Sequence, residues 1–386
     1  MKIAIDIRNI GKKRTGDEVV FFNLVKQFSV LDKTNDYVLL TDRDPEKDAG
    51  LAQEIARLEL GANFKVVHLA EEGANKMFWN AVSLPLYLRK EPADILLVQY
   101  ITPFFIPRKT QIITIIHDVS FKVFPKLVGK VDLFFMNILI PMSLKRADKI
   151  IGVSKFTANE ILKYYKVDEK KVDWIHNAVS DIFFKEHSQE ELEVVRQKYS
   201  LPQKFILYIG TLQPRKNLPA LIEAYIKIPN EKRKDLKLVL AGGKGRNFDA
   251  KIDEYVTSYG LEKDVILPGF IDEMDKPQIF RLAHVFCFPS LYEGFGIPIL
   301  EAMTLGVPTL ASDIPSHAEI TEGATMLFKT DDPADLSEKL NRVATDENLR
   351  KDIARKELAR AQKFSWQKTA EKMLEICKKM TDATPH

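Results

Sequence analysis

Short runs of aliphatic and β-branched residues alternate with longer amphipathic runs along most of this chain. The first half begins with "KIAIDI" at 2–7 and "DEVVFFNLVKQFSVL" at 17–31, and the second half restarts with "FILYIG" at 205–210. Short apolar strands separated by helices are typical of parallel sheets that are covered on both faces. The predicted strands are 2–7, 37–40, 65–69, 94–99, 111–117, 149–154 and 172–176, followed by 205–210, 236–243, 265–270, 284–290, 307–312 and 324–328.

One polar and charged segment without strand periodicity, residues 180–203, separates the two halves. It predicts a linker with one short helix, between a first domain at 1–179 and a second domain at 204–364. The chain reads as helical from about residue 333. Residues 365–386 are expected to form a C-terminal helix that packs back on the first domain. The predicted fold class is α/β, with two Rossmann-like doubly wound domains facing each other across a cleft.

The net charge of the chain excludes few functions, but positive and negative residues are unevenly distributed along it. The 386 residues carry a formal net charge of +3, which is too small to argue for nucleic-acid binding. Residues 1–180 hold 27 Lys and Arg against 22 Asp and Glu, an excess of +5. This excess suits an anionic membrane or substrate, and it equally suits scattered solubilising charge.

No segment has the length of a membrane span, and the first residues lack a signal-peptide apolar region. Two cysteines are too few for a disulfide framework. These features predict a cytoplasmic protein. The longest apolar run is "LFFMNILIPM", 133–142. Its favoured interpretation is a buried helix face, and the alternative is peripheral contact with the inner face of the membrane.

Two glutamates flank a glycine-rich turn in "SLYEGFGIPILEAM", residues 290–303. A buried strand precedes the turn, and a helix with Pro298 in its first turn follows it. Glu293 therefore lies on a loop at the carboxyl end of a strand, and Glu301 lies within the next helix. Glycines let backbone approach a ligand, and amides at a helix N-terminus attract phosphate. A carboxylate on the helix behind a phosphate site suits the hydroxyls of a ribose.

This stretch resembles the E-x7-E signature of the retaining glycosyltransferases of family 4, which have the GT-B fold of two Rossmann-like domains. The match extends over 290–319 and includes the "GVP" that follows the helix. The alternative is a pair of glutamates on an ordinary helix.

A second motif, "GTLQPRKN" at 210–217, places two cations after a strand. Arg215 and Lys216 beside a helix N-terminus suit a diphosphate and the charge that develops on it as a leaving group. The family pattern has an arginine directly after the strand glycine, where this chain has Thr211 after Gly210. The form resembles a subgroup with many bacterial mannosyltransferases. Whether Arg215 replaces the missing arginine or lies on the surface stays open.

The first half resembles the acceptor-binding half of the family. Gly16 matches the N-terminal glycine loop, although Asp17 replaces the usual second glycine. Lys12, Lys13 and Arg14 precede it, and they either attract an anionic acceptor or form a solvated loop. His117, at the end of a buried strand, is expected by resemblance to hydrogen-bond a sugar hydroxyl, and the alternative is a structural histidine.

The resemblance implies a retaining, metal-independent hexosyltransferase without a cofactor. Its partners would be a nucleotide-diphosphate sugar, first GDP-mannose and next UDP-glucose or UDP-N-acetylglucosamine, and a glycan or lipid-linked glycan acceptor. The expected catalytic residues are His117, Glu293, Lys216 and Arg215. The expected donor-binding residues are Gly16, Gly210, Thr211, Phe270, Gly294, Phe295, Gly296, Ile297 and Glu301.

Particular residues bear on other possible functions. "TDRD" at 41–44 contains the D-x-D of a metal-dependent transferase fold, but its position predicts a surface turn. A sugar-nucleotide epimerase has no need of the E-x7-E stretch, and the sugar phosphorylases are much longer chains. Thr211 and Asp17 leave open a non-catalytic partner subunit that binds a sugar nucleotide.

Overall fold

The computed structural model describes residues 1–12, 16–69, 78–245 and 247–382. They form two compact units. The first contains Met1–Ala178 and the chain from Ser365 onward, and the second contains Val179–Phe364. Each unit is built on a parallel sheet, so the α/β class with two Rossmann-like units is confirmed.

The first unit contains a sheet of seven described strands in the order β3-β2-β1-β4-β5-β6-β7. The strands are rich in Ile, Val and Leu, as expected when both faces of a sheet are covered. Their bounds are β1 Lys2–Asp6, β2 Asp36–Thr41, β3 Phe64–His68, β4 Ile95–Gln99, β5 Gln111–Ile116, β6 Lys149–Gly152 and β7 Val172–Trp174. Ile5 of β1 pairs with Leu39 on one side and Leu97 on the other, and all three are buried.

Helices connect these strands. They are α1 Asp17–Leu31, α2 Ala49–Arg57, α3 Leu84–Lys90, α4 Ser120–Val123, α5 Lys130–Arg146 and α6 Lys155–Tyr164. Ser154 begins α6 as predicted, because its hydroxyl accepts a hydrogen bond from the amide of Thr157 at 2.9 Å.

The second unit contains six described strands in the order β10-β9-β8-β11-β12-β13. They are β8 Phe205–Ile209, β9 Lys237–Ala241, β10 Val265–Ile266, β11 Val285–Phe288, β12 Thr309–Ser312 and β13 Met326–Phe328. Each predicted strand of both halves therefore has an observed counterpart. The predicted strand 265–270 ends early because Pro268 has no N–H to donate to the ladder.

The helices of the second unit follow the same alternation and then become consecutive. They are α7 Gln189–Lys198, α8 Leu218–Ile226, α9 Asn230–Arg233, α10 Lys251–Ser258, α11 Lys276–Leu282, α12 Ile297–Thr304, α13 Pro315–Thr321, α14 Pro333–Thr345 and α15 Glu347–Ala361. The last helix, α16 Trp366–Asp382, belongs to the first unit, where it packs against α1. The Thr369 hydroxyl donates to the carbonyl of His176 at 2.7 Å.

Residues 180–203, expected as a linker, lie within the second unit rather than outside both. Their helix α7 packs against α11. The Lys198 ammonium contacts the carboxylates of Asp272 at 2.7 Å and Asp275 at 2.6 Å, and the Tyr199 hydroxyl donates to Asp275 at 2.7 Å. Polar composition alone did not reveal these tertiary ion pairs.

The interpretation of 133–142 as a buried helix face is wrong. This run lies in α5, where only Ile140, Ser143 and Leu144 are buried. Phe134 is 61% exposed and Phe135 is 46% exposed. None of the helices in the described ranges is long and apolar enough to cross a membrane.

In both units the first strand lies beside the fourth, so the strand order reverses there. β1 pairs with β2 and β4, and β8 pairs with β9 and β11. Ligands of doubly wound sheets bind at the carboxyl edge of such a switch point. The loops that follow β1, β4, β8 and β11 are therefore where a site is expected.

Candidate active site

Glu293 lies on the loop that joins β11 to α12, at the switch point of the second sheet. Its side chain is 12% exposed. The Lys216 ammonium donates to Glu293 Oε1, and the Arg215 guanidinium lies 3.2 Å from the same oxygen. We call these three residues the Glu293 cluster.

Two loops are joined to form the cluster. The turn Pro214–Lys216 follows β8, and its Arg215 carbonyl accepts a hydrogen bond from the amide of Leu291 at 2.8 Å. The Arg215 guanidinium donates to the carbonyl of Tyr292 at 3.0 Å. Arg215 is thus held against the Glu293 loop and does not extend over the surface.

The cluster keeps its charges although it is buried. Burial by itself would raise the pKa of Glu293, but the positive charges of Lys216 and Arg215 outweigh it and lower that pKa to about 2. Lys216 is 6% exposed, and its ammonium lies 5.1 Å from the ring centroid of Phe288, a distance typical of a cation–π contact. The cluster thus holds two cations and one carboxylate in a buried position.

The turn after Glu293 brings backbone to the same place. Gly296 precedes α12 with φ 122°, a region that favours glycine, and a Cβ there would lie 3.4 Å from His317 Cδ2. Pro298 lies in the first turn and Gly306 follows the helix with φ 65°, as predicted. The ring of Phe295 is buried 6.1 Å from that of Phe364, so only its backbone is available to a ligand. Gly294 is buried and Ile297 half-buried beside it.

Gly210 and Thr211 begin the loop after β8. The Tyr208 hydroxyl donates to the carbonyl of Thr211 at 2.7 Å, and it would lie 2.8 Å from a Cβ on Gly210. The Thr211 hydroxyl is buried without a hydrogen-bond partner among the described residues. Thr211 therefore shapes this loop without supplying the charge that an arginine would bring.

Glu301 is buried on α12, 4% exposed. Burial raises its pKa, the charge of Lys276 opposes the rise, and Glu273 adds to it. The Lys276 ammonium also pairs with Glu273 at 2.5 Å. Neither Lys276 nor Glu273 was singled out from the sequence, because α11 brings them to Glu301 only through the fold.

His317 is a second residue that the sequence did not reveal. Its Nδ1 lies 2.9 Å from the carbonyl of Ser312, so Nδ1 carries the hydrogen and donates it. Its Nε2 is buried without a hydrogen-bond partner among the described residues. Burial lowers the pKa of His317 to about 4, against the opposing charge of Glu293, so the ring is neutral near pH 7. The His317 ring thus packs against the Gly296 turn.

Phe270 lies in the loop after β10 and is 54% exposed. Gly269 precedes it, and the Gly269 carbonyl accepts the amide of Gly242 at 2.9 Å. The amide of Gly210 in turn donates to the carbonyl of Ala241 at 3.0 Å. These bonds align the ends of β8, β9 and β10 at one edge, with an exposed aromatic ring at its far end.

His117 lies at the carboxyl end of β5 in the first unit and is 9% exposed. The amide nitrogen of Gln99, at the end of β4, donates to the carbonyl of Asp17 at 3.1 Å, so its oxygen faces His117 Nε2 at 2.9 Å. His117 Nε2 therefore carries the hydrogen, and Nδ1 is the acceptor. Burial lowers the pKa of His117 against the charges of Asp17 and Asp118, which keeps the ring neutral.

Asp17, the residue that replaces a family glycine, lies beside this histidine. Its carboxylate is 3.9 Å from His117 Nε2.

Gly16 precedes α1 with φ 85°. Lys12 pairs with Asp42 at 3.0 Å, while Lys13 and Arg14 lie outside the described residues. Asp42 of the "TDRD" turn is thus engaged in an ion pair with a residue 30 positions earlier in the chain.

The two halves of the chain match two family models. One, described as glycosyltransferase family 4, matches residues 15–181, and the other, described as glycosyl transferases group 1, matches 191–360. O-antigen chain mannosyltransferase B of Escherichia coli is 30% identical over 345 residues, which cover 83% of this chain and 90% of that protein.

This chain belongs to glycosyltransferase family 4.

Serotype-specific mannosyltransferase WbdA of Escherichia coli is 36% identical over 244 residues, or 63% of this chain. The chain covers only 30% of the length of WbdA. Among solved structures, HepE of Anabaena in complex with UDP and glucose has a TM-score of 0.75 at 18% identity and covers 98% of this chain and 100% of HepE. The GT-B fold predicted from the E-x7-E stretch is therefore confirmed.

Family membership sharpens the question of the missing arginine at Thr211. Arg215 follows Thr211 by four residues, and its guanidinium reaches the carboxylate of Glu293, the first glutamate of the family motif. Arg215 and Lys216 thus contact the same carboxylate. The described residues contain no group of three or more His, Cys, Asp or Glu side chains arranged to hold a metal ion.

Proposed function

We propose that this glycosyltransferase moves mannose from GDP-mannose to a hydroxyl of a glycan or lipid-linked glycan, with retention of the anomeric configuration and without a metal. The observation that carries the proposal is the Glu293 cluster, which holds two cations and a carboxylate at the switch point of the second sheet. The mannosyltransferase names of the two Escherichia coli relatives support the choice of sugar.

In this proposal the donor diphosphate binds Lys216, Arg215 and the amides around Gly294–Ile297. The net positive charge of the Glu293 cluster attracts the diphosphate, and the two cations turn part of their hydrogen bonding from Glu293 to the phosphate oxygens. This partner exchange leaves the Glu293 carboxylate able to accept hydrogen bonds from hydroxyls of the hexose. Charge stabilisation of the leaving diphosphate then lowers the barrier.

The remaining residues orient the donor. Glu301, ionised, accepts hydrogen bonds from the ribose hydroxyls, and Phe270 offers an exposed ring to the base. Gly16 and Gly210 let backbone approach the phosphates. His117 Nδ1 accepts a hydrogen bond from a sugar hydroxyl, since its Nε2–H is already committed to Gln99.

The chemical step is a substitution on one face of the sugar. The bond between C1 and the donor phosphate oxygen breaks as the bond from C1 to the acceptor oxygen forms on the same side. The acceptor proton passes to the departing phosphate oxygen. No pair of acid and base carboxylates of the glycosidase kind is then required, and orientation and charge stabilisation carry the reaction.

The test is transfer by the purified protein with a panel of GDP- and UDP-sugars, with product anomer determined by NMR. We expect GDP-mannose to exceed any UDP-sugar at least tenfold in kcat/KM, about 1.4 kcal/mol. Discrimination of this size arises when a buried polar partner is left unpaired by the wrong hydroxyl. Preference for UDP-glucose overturns the mannose assignment, and an inverted product overturns the mechanism.

A chelator experiment tests metal independence, since Arg215, Lys216 and the α12 amides meet the donor charge. EDTA is expected to leave the rate unchanged. Loss of activity with EDTA and its return with Mg²⁺ or Mn²⁺ contradicts this part of the proposal. Donor binding without transfer or hydrolysis for any sugar favours the alternative of a non-catalytic partner subunit.

A further inference from the structure

The outward face of α5 carries a continuous apolar stripe. Its members share one helix face because they are spaced by three, one, three and four residues. We call them the α5 stripe: Val131 (69% exposed), Phe134 (61%), Phe135 (46%), Ile138 (43%) and Met142 (51%). At 1.5 Å per residue the stripe is about 16 Å long. The buried side of this helix uses Ile140, Ser143 and Leu144 instead.

The stripe continues into basic residues. Arg146 follows Met142 by four residues, so it extends the same face by one turn. Arg146 also lines a groove of about 520 Å³ on the first unit. We call it the arginine groove, and its lining residues are Arg89, Phe104, Phe105, Ile106, Arg108 and Arg146.

The arginine groove lies at the edge of the sheet opposite to His117. Arg89 is in the last turn of α3, just before β4, Arg108 precedes β5, and Arg146 precedes β6. The amino ends of parallel strands share one edge, whereas His117 follows the carboxyl end of β5. The groove is therefore separate from the candidate active site.

The charges around both features are predominantly positive. Residues 105–149 contain eight Lys and Arg against three Asp and Glu. Among the groove residues, Arg146 has a carboxylate nearby, that of Asp148 at 3.9 Å. The lining of the groove contains no acidic side chain. Guanidinium groups beside exposed aromatic rings form a surface for phosphate groups attached to apolar chains.

We propose that the α5 stripe and the arginine groove together dock on an anionic phospholipid surface. The stripe enters the boundary between headgroups and acyl chains, and the groove binds lipid phosphates. An interfacial helix needs an apolar face and flanking cations, and it does not need the length of a membrane span. A second copy of the chain fits poorly, because a two-fold contact places this basic surface against itself.

The first measurement is flotation of the full chain with vesicles of phosphatidylcholine alone or with added phosphatidylglycerol. We expect binding only to the anionic vesicles and release in high salt, because surface attraction falls off within a Debye length. Equal binding to both vesicles, or none to either at low salt, overturns the proposal.

Two variants separate the apolar and basic contributions. Phe134→Ser combined with Phe135→Ser is expected to weaken anionic-vesicle binding by about tenfold or more. The control is Phe184→Ser, at a residue of the second unit that is 64% exposed. Arg89→Gln, Arg108→Gln and Arg146→Gln together are expected to weaken it on the order of a hundredfold. The control replaces Lys351, Arg355 and Lys356 of α15 by Gln. Losses as large in the controls overturn the assignment to this surface.

A position-specific probe measures insertion directly. Ile138→Cys labelled with bimane is expected to shift to the blue with anionic vesicles and not with phosphatidylcholine. Cys287 and Cys377 are buried, so they compete little for the label. An unchanged spectrum in a protein that floats with vesicles shows that another surface binds, which overturns the proposal.

Two further arms distinguish other occupants. Calorimetric titration with inorganic phosphate tests whether the arginine groove binds a soluble anion. If the arginine variant abolishes phosphate binding while flotation with vesicles persists, the lipid assignment is overturned. Sedimentation velocity tests whether a second copy covers the α5 stripe, and a dimer that dissociates in the Phe134→Ser, Phe135→Ser variant also overturns the lipid assignment. Transfer to a soluble acceptor is expected to be unchanged in these variants, so the lipid proposal fails separately from the transferase proposal.

Discussion

The Glu293 cluster and the α5 stripe reverse the usual placement of side chains in opposite directions. In the second unit, the charged side chains of Lys216 and Glu293 are buried. In the first unit, the apolar rings of Phe134 and Phe135 are exposed. Burying charge is costly unless it is paired, and apolar stripes on a surface normally mark contacts. Both departures fit the two proposals: an anion binds at the buried cations, and an apolar surface covers the exposed rings.

Glu293→Gln is expected to have the largest effect on stability. It leaves Lys216 and Arg215 without their shared carboxylate, and breaking a buried ion pair costs about 3–5 kcal/mol of unfolding free energy. The pKa of Glu293 is lowered to about 2 from an ordinary 4.5. Its charge therefore stabilises the fold fully above pH 4.5, and the stabilisation is lost as pH falls toward 2.

Urea unfolding at several pH values checks this prediction. The difference between wild type and Glu293→Gln is expected to shrink on acidification below pH 4.5. The control is Glu347→Gln, in an exposed pair with Lys351, which is expected to change little at any pH. A difference that grows on acidification contradicts the role of the buried charge.

Lys216→Ala is expected to lower kcat about 10²–10³-fold in a protein that remains folded. In the proposed function its ammonium meets charge that grows on the leaving diphosphate, so the loss is expected in turnover rather than in KM. Arg215→Ala is expected to show a smaller loss of the same kind. Steady-state transfer kinetics measure both, with Lys244→Ala, an exposed lysine paired with Asp253, as the control. Wild-type kinetics in Lys216→Ala place the phosphate site elsewhere.

Glu301→Ala is expected to weaken nucleotide binding by about 1–3 kcal/mol, because in the proposed function the ribose hydroxyls lose their acceptor. Burial raises the pKa of Glu301, so its ionised fraction, and with it wild-type affinity, falls as pH drops through that raised value. The raised pKa also means that its contribution to stability declines as pH rises through the same range.

Calorimetric titration with GDP, repeated across the pH range in which Glu301 titrates, measures the affinity. Glu301→Gln is the matched variant, since it keeps the shape and removes the titration, and its affinity is expected to be weaker and flat with pH. Unchanged affinity in both variants removes Glu301 from the donor site.

Phe134→Ser is expected to have the smallest effect on stability, within about 0.5 kcal/mol, because the ring is already exposed. The contrast is Phe286→Ala on β11, where a fully buried ring is lost and about 3–5 kcal/mol is expected. Thermal unfolding of both variants measures the difference. A loss of several kcal/mol in Phe134→Ser means that the α5 stripe is held by the fold rather than offered to a partner.

Much of the fold could be predicted because it is written in local patterns. Each strand predicted from short β-branched runs has an observed counterpart. Pro298 and Gly306 bound α12 as predicted, since each acts on its own backbone. The place of residues 180–203 within the second unit could not be predicted, since it depends on contacts such as those of Lys198 with Asp272 and Asp275.

The sequence by itself determined which residues of the candidate site belong to one motif. Glu293 and Glu301 are eight positions apart on a strand–turn–helix, and local geometry places both near the turn. Only the tertiary structure decided that Arg215 and Lys216, from a loop 77 residues away, meet on Glu293 and leave it ionised. It also decided that Gln99 sets the tautomer of His117 and that the α5 stripe faces outward. The physical reason is that hydrophobicity and charge are properties of a side chain, whereas burial, pairing and pKa are properties of its neighbours.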